Sequence, residues 1–256
     1  MSAVDPGPLA DPVAEARRLV AAATQQGLLL RVLGGVAVYL QAPGGQPRLS
    51  RRIKDIDLAV ARGRGKAASG VLSQAAYVGD EMFNALRGSR RLLYHDPRNG
   101  RHVDVFVGEF SMCHEIPLTE RLDRDPLTVP REELLLSKLQ IIELTENDQL
   151  DIYNLLYHHD VGEHKDAGIS SPFVAALCAR DWGLWRTCQL TIGRSLENLA
   201  GSGLEPAEQK VVGDRLESLR GRIDAEPKSR RWRMRSRMGD KVRWYQEPEQ
   251  EQPGAD

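Results

Sequence analysis

The chain has 256 residues, of which 41% are hydrophobic, and 35 basic against 36 acidic residues leave a formal net charge of −1. This composition is typical of a globular protein with one large domain or two modest ones, and so balanced a charge excludes selection of a partner by a global electric field. No apolar run approaches the roughly 20 residues of a membrane span, and the N-terminus lacks the basic-then-apolar pattern of a signal peptide. Three cysteines without metal-ligand spacing fit a reducing compartment, so we expect a cytoplasmic protein without a membrane partner.

The chain begins with a predicted helix, a strand and a second helix. Asp11-Pro12 favours a helix start, because the carboxylate can accept from free backbone N–H groups and proline suits the first turn. We expect this helix to end near Gln26 and a buried strand to occupy residues 28–33. Gly34-Gly35 then opens a helix over residues 36–41.

A glycine- and proline-rich linker leads into residues 52–60, with the sequence RIKDIDLAV. Side chains two apart in a strand share a face, so Asp55 and Asp57 are expected to point one way and Ile56 and Leu58 the other. Two carboxylates about 6–7 Å apart along one strand raise the energy unless a cation or water neutralises them.

Residues 101–107 repeat this alternation, with Asp104 on the face opposite the valines. The turn sequence DPRNG at residues 96–100 predicts a hairpin between residues 90–95 and 101–107. If the strand that carries Asp57 pairs with the strand that carries Asp104, three carboxylates converge. Such a cluster suits a hard divalent cation, which prefers oxygen ligands.

Two later helices are expected at residues 130–144 and 147–157. A helical projection places Lys138 in the middle of an apolar arc of the first helix, and Asp148 and Asp151 on or beside the apolar side of the second. Buried carboxylates need partners. Either they form a structural ion pair with Lys138, or all three side chains reach the edge of the carboxylate face.

The chain is predicted to be helical from about residue 170, and it ends in a basic stretch followed by a Glu/Gln/Pro-rich tail that is expected to be disordered. Basic residues beside tryptophan favour a nucleic-acid backbone with stacked bases; a solvated basic helix is the alternative. The candidate RNA-binding residues are Arg230, Arg231, Trp232, Arg233 and Arg235. We therefore expect three parts, at residues 1–160, 161–246 and 247–256.

Two further groups are expected to be structural. His158-His159-Asp160, with His164, resembles a metal cluster but is more typical of a polar loop after a helix. Trp182 and Trp185 indicate the core of the C-terminal helices rather than a cofactor site.

Four features in this order carry a resemblance to the nucleotidyltransferase superfamily, which has the DNA polymerase β-like fold. They are Gly34-Gly35, the run from Arg52 to Asp57, Lys138, and the sequence DQLDIY at residues 148–153. The chain is most similar to the abortive-infection nucleotidyltransferases of bacterial toxin–antitoxin pairs, over about residues 28–160. The resemblance implies an α+β fold with a mixed sheet and packed helices, plus a helical C-terminal extension.

The resemblance also assigns roles to the candidate residues. Asp55 and Asp57 would hold Mg²⁺, or alternatively Mn²⁺, and Asp104 would complete the metal site or act as base. Lys138 would offset charge on the phosphates, and Asp151 would position the acceptor, the nucleobase or Lys138.

The nucleotide would be ATP or another nucleoside triphosphate. Backbone N–H groups of Gly34 and Gly35 would cradle its triphosphate, and Arg52 or Lys54 would touch the phosphates.

The expected function is Mg²⁺-dependent transfer of a nucleotide to a hydroxyl of RNA, such as tRNA, or of protein, with an antitoxin as a possible further partner. Two alternatives remain open: transfer to a small molecule such as an aminoglycoside, and a catalytically silent module that binds a partner. A haloacid-dehalogenase-type phosphatase is disfavoured, because its nucleophilic aspartate follows a hydrophobic strand whereas Asp55 precedes one.

Overall fold

The protein was described from a computed structural model, which covers residues 7–42, 45–163 and 168–247. Within these ranges the chain forms ten α-helices and nine short strands. The helices are α1 Pro12–Gln25, α2 Gly34–Gln41, α3 Gly65–Gln74, α4 Glu81–Arg87, α5 Arg131–Leu139, α6 Glu146–His158, α7 Ser171–Arg180, α8 Trp182–Asn198, α9 Pro206–Ala225 and α10 Arg230–Ser236. The strands are β1 Leu30–Leu33, β2 Ile56–Val60, β3 Val78–Gly79, β4 Arg91–Asp96, β5 Arg101–Val107, β6 Glu109–Ser111, β7 Glu115–Pro117, β8 Val161–Gly162 and β9 Ile169–Ser170.

The first five strands form one mixed sheet in the order β1-β2-β5-β4-β3. Strands β2 and β5 are parallel, and the other neighbours are antiparallel. Strands β2 and β5 thus meet the condition set by the sequence analysis, and their register places Asp57 directly opposite Asp104. Paired residues of neighbouring strands share a face, so these two carboxylates lie side by side.

The two faces of the sheet are covered by different helices. Ile56, Val103 and Val105 are fully buried on the face away from Asp57. Helix α3 covers that face, and the Tyr94 hydroxyl bonds to Ser69 Oγ in α3 at 2.6 Å. On the Asp57 face, α2 packs against β2, α5 and α6. The protein therefore has a mixed α/β architecture with a mixed sheet and packed helices, which is compatible with the expected α+β fold.

The C-terminal helices extend the same core. Helices α7 and α8 pack against α5, and α9 packs against α6. One cluster of buried apolar side chains runs from Leu19 in α1 to Ile223 in α9, so the apolar core crosses the predicted boundary at residue 160. None of the helices in the described ranges is both long and apolar enough to cross a membrane.

Helix α5 ends at Leu139, so the expected helix over residues 130–144 is too long by five residues. The carbonyl groups of Ile141 and Ile142 accept hydrogen bonds from Thr191 and Arg194 of α8. Side chains of α8 thus take the place of the helical N–H donors, and the chain leaves the helix. Helix α4 was not predicted from the sequence, because it buries none of its residues fully and so lacks a clear apolar stripe.

The two groups expected to be structural are indeed engaged in packing and hydrogen bonds. Trp182 is buried and packs on Trp185, with ring centroids 6.2 Å apart. His159 Nε2 bonds to the carbonyl of Gln41 at 2.6 Å, and Asp160 is ion-paired with Arg215. The fourth member of the candidate metal cluster, His164, lies outside the described residues, as does the predicted disordered tail beyond Glu247.

A buried ion pair closes the β4–β5 hairpin and so fixes the register that brings Asp104 to the site. Asp96 has no exposed surface and accepts from Arg101 Nη2 at 2.6 Å. The same carboxylate accepts from the backbone N–H groups of Arg98 and Asn99, at 2.9 and 3.1 Å. The predicted turn is therefore held by its first residue.

We expect Asp96→Ala to lower the free energy of unfolding by about 3–5 kcal/mol, because it leaves Arg101 buried without its carboxylate. Urea unfolding measures this loss. The matched control is Asp123→Ala at an exposed aspartate, which should shift stability by less than about 0.5 kcal/mol. Equal midpoints for the two variants would contradict a role for this pair in holding the hairpin.

Candidate functional site

A cavity of about 720 Å³ opens on the Asp57 face of the sheet. This is the size of a small-molecule site. Its polar lining comes from Gly34, Asp57, Arg91, Ser137, Lys138, Glu143 and Asp148, together with Arg243 and Glu247 near the C-terminus. Its apolar lining comes from Phe106, Phe110, Met112, Ile141 and Ile142, with the ring of Tyr245.

The start of α2 is built around the Asp57 carboxylate. Gly34 has φ +64°, a conformation that L side chains rarely adopt, and a Cβ there would overlap the carboxylate. Gly34 therefore serves two needs at once, the backbone turn into the helix and the close approach of Asp57. The Asp57 side chain thus lies against the N-terminal backbone of α2, inside the cavity.

Among the carboxylates of this site, that of Asp57 has the most strongly shifted pKa. Burial and then the charge of Asp104 raise its pKa to about 6, with a smaller contribution from Asp55, while Lys138 acts in the opposite direction. Although Asp57 retains some exposed surface at the cavity, most of its surroundings are protein. Asp55 directly precedes β2 and is exposed. The three strand carboxylates are thus close enough to act on one another.

Asp104 is 6% exposed and is held by Arg91, whose Nε lies 2.6 Å from Asp104 Oδ1. The Arg91 guanidinium also lies over the ring of Phe106, 5.5 Å from its centroid. The β4–β5 register places Leu93 opposite Asp104, and Arg91, two residues before Leu93, shares that face. A cation from the next strand thus partly offsets the carboxylate pair.

Lys138 bridges the second acidic pair. Its Nζ lies 3.0 Å from Asp148 Oδ1 and 2.9 Å from Asp151 Oδ2, so the predicted ion pair is present. Burial lowers the pKa of Lys138, but the charges of Asp151 and Asp148 outweigh this and raise it. Lys138 and Asp148 also line the cavity with Asp57. The ion pair therefore lies at the carboxylate face rather than away from it.

Arg51, which was not singled out from the sequence, binds the other side of Asp151. Its Nε and Nη2 each lie 2.8 Å from an Asp151 oxygen, a bidentate geometry. The guanidinium occupies the space that a Cβ on Gly35 would fill. Arg52 and Lys54, the predicted phosphate contacts, are exposed and do not line the cavity.

The charges of this cluster do not balance. Four buried or half-buried carboxylates, from Asp57, Asp104, Asp148 and Asp151, face three cations, from Arg51, Arg91 and Lys138. No three His, Cys, Asp or Glu side chains in the described ranges stand close enough to hold one ion by themselves. Mg²⁺ is usually bound through only one or two carboxylates, with substrate phosphates and water completing its shell. The residues that would hold such a cation, arriving with a phosphorylated substrate, are Asp57, which lines the cavity, and Asp55, which is exposed and is not among the lining residues.

The basic stretch near the C-terminus is divided between packing and surface. The Trp232 ring packs against Trp185, with centroids 5.2 Å apart, and Arg235 lies over the Trp182 ring. Arg230, Arg231 and Arg233 are exposed on α10. Of the predicted RNA contacts, the three exposed arginines are presented to solvent, whereas Trp232 and Arg235 contribute to packing.

We expect Gly34→Ala to destabilise the protein more than Gly27→Ala. Both glycines have similar φ values, +64° and +68°, but nothing lies within 4 Å of a Cβ built on Gly27. Gly27→Ala should therefore cost only the backbone strain of about 1–2 kcal/mol. Gly34→Ala should cost about 1–3 kcal/mol more, because Asp57 must move. Urea unfolding of the two variants measures the difference, and equal losses would show that Asp57 does not need the space.

We expect Asp57→Asn to stabilise the protein at neutral pH. Because the folded-state pKa is about 6 against an ordinary 3.8, the folded protein holds this proton more tightly than the unfolded chain does. Ionisation of Asp57 then lowers stability as pH rises through this interval. The variant should gain about 1–3 kcal/mol near pH 8 and almost nothing near pH 3, which lies below both pKa values.

Urea unfolding at the two pH values measures the gain in free energy, with Asp123→Asn as the exposed control. A gain that is the same at both pH values would contradict the raised pKa.

Comparison with known proteins places this chain in no family. No protein-family model matches it, and no curated protein sequence is similar to it. Its function must therefore be inferred from the chemistry and geometry of the cavity.

Proposed function

We propose that the protein is a Mg²⁺-dependent nucleotidyltransferase, which transfers a nucleoside monophosphate from a nucleoside triphosphate to an acceptor hydroxyl and releases pyrophosphate. One observation carries the proposal: Asp57 is packed against Gly34 at the start of α2, in one cavity with Lys138. The mixed sheet with packed helices is compatible with the nucleotidyltransferase fold that the sequence resembles.

The triphosphate is bound by the positive end of α2 and by nearby cations. The first turn of a helix presents free backbone N–H groups and the positive end of its dipole, and Gly34 lets phosphate oxygens approach them. Lys138 and Arg91 line the same cavity. Both are already balanced by aspartates, which hold their long side chains in place before the substrate arrives.

Asp57, Asp55 and the substrate phosphates would provide the ligands of the metal. The excess of negative charge in the aspartate cluster favours binding of a cation here. When bound, Mg²⁺ stabilises the attacking and leaving oxygens of the transfer. Asp104, beside Asp57, completes the metal site or accepts the proton of the attacking hydroxyl. Its ion pair with Arg91 fixes its position for either role. Asp151 positions Lys138 through its bond to Nζ.

RNA is the acceptor class that the surface favours. Arg230, Arg231 and Arg233 are exposed on one short helix, and exposed arginines bind phosphate backbones with strong salt dependence. A small-molecule acceptor would not need this surface. A catalytically silent module would not need the uncompensated carboxylates.

We expect the protein to transfer label from one or more α-labelled nucleoside triphosphates to cellular RNA in the presence of Mg²⁺. Asp57→Asn should reduce transfer by roughly a hundredfold or more although it stabilises the fold. Replacing Arg230, Arg231 and Arg233 with glutamine should reduce RNA labelling and leave binding of Mg²⁺–nucleotide unchanged.

The controls for this experiment are Asp123→Asn and glutamine at three other exposed basic positions, Arg17, Arg64 and Lys66. Label that appears only in a small molecule would replace RNA as the acceptor. No label in RNA, protein or small molecules, with no Mg²⁺-dependent nucleotide binding, would overturn the enzyme proposal and favour the silent module.

A further inference from the structure

The segment at residues 243–247 forms one wall of the cavity. Arg243, Tyr245 and Glu247 line the cavity, whereas the two residues between them do not. Trp244 lies between Arg243 and Tyr245 and packs on the protein instead, so the segment has side chains on both the protein and the cavity.

Trp244 and Gln246 hold this segment in place. The Trp244 indole N–H donates to Thr187 Oγ1 at 3.1 Å, and its ring packs edge-on against Trp182, with centroids 6.0 Å apart. The Trp244 carbonyl oxygen packs so closely on Gly183 that a Cβ at Gly183 would lie only 2.5 Å from it. The Gln246 N–H bonds to the carbonyl of Cys113 at 3.0 Å. The segment is thus fixed both to α8 and to the loop after β6, which makes it a preformed wall.

The Tyr245 ring is the one large aromatic surface that this wall presents. It is partly buried, and the Arg243 guanidinium lies 4.8 Å from its centroid. Arg243 is in turn ion-paired with Glu247. The ring lines the same cavity as the apolar side chains of Phe110 and Met112.

This apolar lining does not suit phosphates, and the polar lining at Gly34 and Lys138 does not suit a flat apolar ring. A nucleotide has one part of each kind. Stacking of a base on an aromatic side chain contributes about 1–3 kcal/mol per base and works for every base, because each has a π-face.

Resting on the proposed function, we propose that Tyr245 stacks on the base of the bound nucleoside triphosphate. The C-terminal segment is then the base-binding wall of the nucleotide site. Arg243 and Glu247 lie at the rim of the stacked base. The helical C-terminal region therefore contributes to the nucleotide site itself.

The test is calorimetric titration of the full chain with each Mg²⁺–nucleoside triphosphate and with Mg²⁺–tripolyphosphate, which lacks a base. Tyr245→Ala should weaken binding of every nucleoside triphosphate by about tenfold or more and leave tripolyphosphate unchanged. Tyr245→Phe should bind like the wild type, because it keeps the ring. Tyr39→Ala, at a tyrosine that is 57% exposed on α2, is the matched control.

The titration contains no acceptor. A loss of nucleotide affinity in Tyr245→Ala therefore reports on the base of the triphosphate itself and not on a base of the acceptor. Nucleotide binding by Tyr245→Ala that equals or exceeds the wild type would overturn the assignment, and tighter binding would identify the segment as an obstruction. An equal loss for tripolyphosphate would overturn it too. A wild-type protein that binds neither ligand would instead overturn the proposed function, so the two failures are distinguishable.

Discussion

The site depends on holding more carboxylates together than the nearby cations neutralise. Parallel pairing of β2 with β5 forces Asp57 beside Asp104, and both are largely removed from water, where like charges repel most strongly. The result is a pKa of about 6 for Asp57. A fold selected for stability alone would replace one of these aspartates. Keeping both aspartates lowers the stability of the folded state locally, and a bound cation would restore that stability.

Two adjacent glycines make the cluster possible. Gly34 leaves room for the Asp57 carboxylate, and Gly35 leaves room for the Arg51 guanidinium. Arg51 then binds Asp151, which binds Lys138, which reaches the cavity. This chain of contacts joins the linker before β2 to helices α6 and α5. The geometry of the site therefore depends on the packing of the helices. A substitution that changes one is expected to change the other.

The C-terminal helices have a role beyond completing the core. They provide a cluster of tryptophans, in which Trp182 contacts both Trp185 and Trp244, and the cluster anchors the segment that lines the cavity. Within this segment Trp244 packs inward while Tyr245 lines the cavity, and in β2 Ile56 is buried while Asp57 lines the cavity. A region that contributes no strand carboxylate thus shapes the cavity.

Local sequence patterns predicted the elements near the site, because alternation, helical spacing and turn residues act over a few positions. They predicted the helices at Pro12 and Gly34, the hairpin around residues 96–100, the pairing that joins Asp57 to Asp104, and the Lys138 ion pair. They did not predict where α5 ends, because Thr191 and Arg194, about 50 residues away in the chain, bind the carbonyls of Ile141 and Ile142 just beyond it. Arg51 rather than its neighbour Arg52 binds Asp151, because the Arg51 guanidinium fits into the space that a Cβ on Gly35 would fill. Tyr245 reaches the cavity only because α8 anchors Trp244. The sequence alone therefore determined which charged residues are available and which strands carry them. The tertiary structure decided which cations reach them and what closes the cavity, because those contacts join residues that no local pattern connects.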